Sequence, residues 1–91
     1  MIQITGIRLE GGQGHEHISD VLWRSAATSL ACSSRQAIVD WLSEGNENQA
    51  VVADGSTYVQ VVIVRRPSQP PYLRTRANGV WTDSLLSLPA F

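Results

Sequence analysis

The chain has 91 residues, 43% apolar and 16% charged, with a formal net charge of −1. That length predicts a single domain over residues 1–91. The composition excludes a disordered chain, and the near-neutral charge speaks mildly against a dedicated nucleic-acid binder.

The opening "MIQITGIRLE" has no basic region ahead of a long apolar run, so it does not read as a signal peptide. No stretch approaches the length of a membrane span, and a cytoplasmic location without membrane contact is the expectation. Within it, apolar residues fall at 2, 4, 7 and 9. The alternation slips at Gly6, as a β-bulge at glycine would make it do. "GGQG" (residues 11–14) then breaks the strand. Successive backbone N–H groups there can cradle an anion, but a phosphate loop should lead into a helix, and this one leads into His15 and an apparent strand. A flexible connection is the preferred reading.

"GHEHISD" holds both histidines of the chain. On an extended segment, residues i and i+2 share a face, so His15 and His17 can bind one cation, zinc being the candidate and Asp20 a further ligand. A third histidine is missing. The spacing only partly resembles the metallo-β-lactamase signature, with Asp20 one position late. A polar loop is preferred over both a metal site and an acid–base pair.

"HISDVLW" reads as extended, and "SAATSLACSS" is too small and polar to assign. The single cysteine, Cys32, excludes an intramolecular disulfide and reads as packing rather than a nucleophile. "SSRQAIVDWLSEG" predicts a helix of about three turns. Ser33 and Gln36 have capping-box spacing, Ala37, Ile38, Trp41 and Leu42 form an apolar stripe, and Gly45 stands where a left-handed cap is wanted. "QAVVA" and "TYVQVVIVRR" flank Asp54-Gly55, a hairpin signal, and the second run is apolar on both faces, as a central strand is. "PSQPP" is a turn. "YLRTRANGVW" reads as a second hairpin around Asn78-Gly79. In "DSLLSLPAF", Asp83 can cap a helical turn while Leu85, Leu86, Leu88 and Phe91 seal an open edge of the core. The expected fold is α+β, one helix packed on an antiparallel sheet of about five strands.

"GHEHI", the capped helix, the strand pair, "YLRTRANG" and "DSLLSLP" together resemble a family of small bacterial and phage proteins, the domain of unknown function numbered 3892. The likeness runs from about Ile4 to Pro89. Asn78 and Ser84 stand where the family often has Asp and Asn, and both suit turns. The resemblance implies a single domain; it brings no activity, cofactor or catalytic residue.

Charge is divided along the chain. Residues 1–54 carry three arginines against seven acids, a net −4, and residues 55–91 carry four arginines against Asp83, a net +3. Tyr72, Arg74 and Arg76 alternate and so share a strand face, with Arg65 and Arg66 near. That pattern fits single-stranded nucleic acid, an acidic protein partner, or a solvated face with gatekeeping charge, the last being preferred. No nucleophile–base–orienter set and no complete metal set is present, so an enzyme is the less favoured class. Low charge, three tryptophans and uncovered sheet edges point instead to a binding module, acting by self-association or through a protein partner.

Overall fold

A computed structural model describes residues 1–91, which form nine elements. They are β1 (Ile2–Leu9), a 3-10 turn (His15–His17), β2 (Ile18–Arg24), β3 (Ala31–Ser34), α1 (Arg35–Ser43), β4 (Ala50–Asp54), β5 (Thr57–Val64), β6 (Tyr72–Ala77) and β7 (Val80–Thr82). The fold is α+β, but the sheet has seven strands in the order β3-β2-β1-β4-β5-β6-β7. All neighbours are antiparallel except β1 and β4, which are parallel. The expectation of about five antiparallel strands is therefore corrected in number and kind. The short β3, "ACSS", has little strand propensity of its own and is held by pairing with β2.

Hairpin chemistry sets the second half of the sheet. Asp54 pairs with Thr57 across a two-residue turn that begins at Gly55, φ 65°. Ala77 pairs with Val80 across Asn78 (φ 52°) and Gly79 (φ 80°), the paired left-handed conformation that matches strand twist. Inward-facing residues of four adjacent strands, Ile2, Ala50, Val61 and Thr75, are partners in register and all buried. The Thr75 hydroxyl is satisfied by Thr82 Oγ1 at 2.6 Å.

The helix starts one residue later than its capping-box reading. Ser34 is the cap, its Oγ accepting from the Ala37 amide at 3.1 Å. Ser33 stays in β3, where its hydroxyl accepts from Trp23 Nε1 at 2.9 Å. Gly45 is not left-handed; the helix ends on Glu44 in right-handed geometry. The Asn48 side chain donates to the Trp41 carbonyl at 2.8 Å, satisfying a group that a glycine cap would otherwise serve. Ile38 and Val39 are buried, Trp41 and Leu42 pack against the core, and Ala37 is exposed.

The bulge at Gly6 is present: Ile4 pairs with Trp23 and Gly6 with Leu22, leaving Thr5 over. Beyond it, β1 meets the C-terminus. The Ile7 amide donates to Pro89 O and the Phe91 amide to Ile7 O, both at 3.0 Å, making a parallel bridge to Ala90. Leu85 is fully buried, and Leu86 and Leu88 pack on the core. Phe91 does not join them; it is 36% exposed, with the Arg8 guanidinium carbon 4.8 Å from its ring centroid. No helix is long and apolar enough to cross a membrane.

Candidate functional site

One residue out of phase with the buried row lies a second row on the opposite, outer face of the sheet. Arg24, Gln3, Val51, Gln60, Arg76 and Trp81 are successive register partners across β2, β1, β4, β5, β6 and β7. The row contains two arginines, two glutamines and no acid. Arg24, Gln60, Arg76 and Trp81 are exposed. Arg24 donates to Gln3 Oε1 from Nε and Nη2, at 3.3 and 3.2 Å. The guanidinium carbons of Arg76 and Arg74 lie 5.3 and 5.6 Å from the Trp81 ring centroid. Tyr58, two residues before Gln60 and on the same face, is 67% exposed.

The five residues singled out for an anionic partner are split by the fold. Tyr72 shares the face of Arg74 and Arg76 but is only 5% exposed, so its ring offers no stacking surface. Arg66 lies over it, 5.8 Å from the centroid. Arg65 is drawn to the end of α1, donating to Ser43 Oγ at 3.2 Å. Arg74 pairs with Asp83 at 3.2 Å, and Arg76 has no carboxylate partner. Neither arginine reaches an acid of the N-terminal half.

His15, His17 and Asp20 do not converge, and no group of three His, Cys, Asp or Glu side chains gathers anywhere in the chain. The extended geometry assumed for the pair is not adopted. In a 3-10 turn each residue advances by about 120°, so i and i+2 point apart. The glycine run folds back over His17: the Gly14 amide donates to His17 Nδ1 at 3.2 Å, and a Cβ on Gly12 would collide with that ring. Asp20 accepts from Ser19 Oγ at 2.9 Å. His15 is buried, and its Nε2 has no hydrogen-bond partner, with Asp83 Oδ1 at 3.8 Å.

Burial pushes the His15 pKa below its ordinary 6.5; Arg74 lowers it further, while Asp83 and Glu16 oppose. The unfolded chain therefore takes up the proton first as pH falls, so stability declines through about pH 6.5 and levels off below the folded pKa. Chemical denaturation between about pH 7 and pH 5 should show this decline, reduced in His15→Phe and retained in His17→Asn. An equal decline in His15→Phe would remove His15 as its source.

The main apolar concavity lies on the helix side. Met1, Ile2, Trp23, Ala37, Ile38 and Trp41 line about 360 Å³, with Ser25 and Ser33 as the polar members. A second concavity of about 290 Å³ shares Met1, Ile2 and Ser25 with it and opens onto the outer row at Gln3, Arg24, Val51 and Tyr58.

Trp81, Gln3, Gln60, Arg24 and Tyr58 were not legible as one surface from sequence. Two pairs of the row had a signal, Arg76–Trp81 from the two-residue turn at Asn78-Gly79 and Val51–Gln60 from the one at Asp54-Gly55. A family model described as "Protein of unknown function (DUF3892)" matches residues 3–89. No curated protein and no solved structure matches the chain.

Proposed function

The chain belongs to the DUF3892 family, whose description names no activity, and on that premise we propose that it is a binding module that self-associates through the apolar groove between α1 and the β1–β2 region. The supporting observation is the groove itself: two half-buried tryptophans, Trp23 and Trp41, with Met1 and Ile38, and no charged side chain in its lining. A cavity of that size suits an apolar anchor, and well-packed aromatic pockets are where interface energy concentrates. The chain carries candidate anchors of its own. Leu30, Val80 and Phe91 are 60%, 65% and 36% exposed. A second copy is thus the partner that fits the groove, and low overall charge gives little repulsion between copies.

Ala37 is the position for the test, since it is exposed on α1 yet lines the groove. Arginine is a good helix former there, so Ala37→Arg should fold with an unchanged helical signal. Sedimentation over a wide concentration range should show a dimer in the wild type, with dissociation raised at least about thirtyfold in the variant. A wild type that stays monomeric at the highest concentration rejects self-association.

A further inference from the structure

We propose that the outer face of the sheet binds single-stranded nucleic acid along the row Arg24, Gln3, Val51, Gln60, Arg76 and Trp81, with Tyr58 beside it. This surface lies on the other face of the sheet from the groove proposed for self-association and adjoins it only at Met1, Ile2 and Ser25, while Ala37 belongs to the groove alone. At about 4.8 Å between strands, the row spans roughly 24 Å of sheet, long enough for several nucleotides.

Its chemistry selects among anionic partners. Trp81 on β7 and Tyr58 on β5 are exposed aromatics on either side of Arg76 on β6. That places the cation of Arg76, which lies over Trp81, on a strand flanked by two strands that carry aromatics, so backbone phosphate and bases find neighbouring partners. The carboxylates of an acidic peptide would need donors alone. Gln60 supplies both donors and an acceptor, which suit the mixed edges of bases, and Gln3, whose Oε1 is taken by Arg24, adds a further donor. A duplex is disfavoured, because the face projects no helix or ribbon to enter a groove. The concavity of about 290 Å³ at Met1, Gln3, Arg24 and Tyr58 gives one base a seat at the Arg24 end of the row.

The net charge of −1 does not oppose this locally. The row has no acid, Asp83 is occupied by Arg74 at 3.2 Å, and Asp54 accepts from Ser84 Oγ at 2.9 Å with the inward-facing parity of its strand. Two like-charged faces would also repel each other, so this surface is not the one that takes a second copy.

The test is fluorescence anisotropy with short labelled oligothymidylate and oligouridylate, competed by duplex DNA and by polyglutamate. Binding of either strand should weaken linearly on a log–log salt plot, with the slope magnitude reduced by about 0.7 in Arg76→Ala. Tyr58→Ala, an exposed change, should weaken binding about tenfold, the effect of one lost stacking platform. Arg24→Ala should weaken it as well. Arg65→Ala, at the far end of β5, should leave it unchanged, and so should Ala37→Arg.

No binding to either strand at low ionic strength overturns the proposal. So does competition by polyglutamate or duplex as effective as by the single strand. Equal losses in Arg65→Ala and Arg76→Ala would mean diffuse charge attraction without a site, which also overturns it. Because Ala37→Arg touches only the groove, self-association and nucleic-acid binding can fail independently.

Discussion

Leu85→Ala is expected to destabilise the fold by about 2–5 kcal/mol, read as a lower denaturant midpoint at unchanged slope. The residue belongs to no strand and no long helix, yet it is fully buried in the core cluster with Ile4, Ile7 and Leu73. It sits in the turn held by the Ser87 amide donating to Asp83 O at 3.1 Å, directly before the segment that bridges Ile7. Removing its side chain leaves a cavity and also loosens the C-terminal closure over β1. A domain of 91 residues has about 5–14 kcal/mol in total, so this one change consumes a large share. Leu86→Ala, at a half-buried position, should cost clearly less. Equal costs would show that the turn is not anchored by Leu85.

Gly6→Val comes second, at about 1–3 kcal/mol. A Cβ at this position would lie 3.2 Å from Leu22 Cδ1 and 3.3 Å from the Pro89 carbonyl oxygen. Leu22 can turn aside. The Pro89 carbonyl cannot move without loosening the Ile7 amide bond it accepts at 3.0 Å. Valine adds two methyl groups to that contact, so Gly6→Ala should fall between it and the wild type. Thermal unfolding of the three chains tests the order. A Gly6→Val protein as stable as the wild type would mean that the C-terminal bridge contributes nothing.

Both changes act on a closure that residue patterns show only in part. The slip in alternation at Gly6 marks a bulge, and "LLSL" marks an apolar turn. That the two meet is a tertiary fact. The same holds for the candidate surfaces. Arg76 and Trp81 can be paired from Asn78-Gly79 alone, whereas Gln3 against Val51 depends on the one parallel contact in the sheet. Tyr72 looks like a stacking residue by alternation and is buried. His15 and His17 share a face only if extended, and the glycines before them permit a fold-back that turns them apart.

What the sequence determined by itself was local: the helix, the two hairpin turns, the bulge at Gly6, the alternation of β1 and the run apolar on both faces that forms β5. Each rests on signals acting within a few residues, through φ restrictions, capping hydrogen bonds and side-chain alternation. The tertiary structure decided the parallel pairing of β1 with β4, the place of β3, the burial of Tyr72 and the six-strand outer row. Those depend on which distant segments become neighbours. The choice is made by bringing Ile2, Ala50, Val61 and Thr75 into one buried layer, and the outer row follows because every side chain one position away must face the other side.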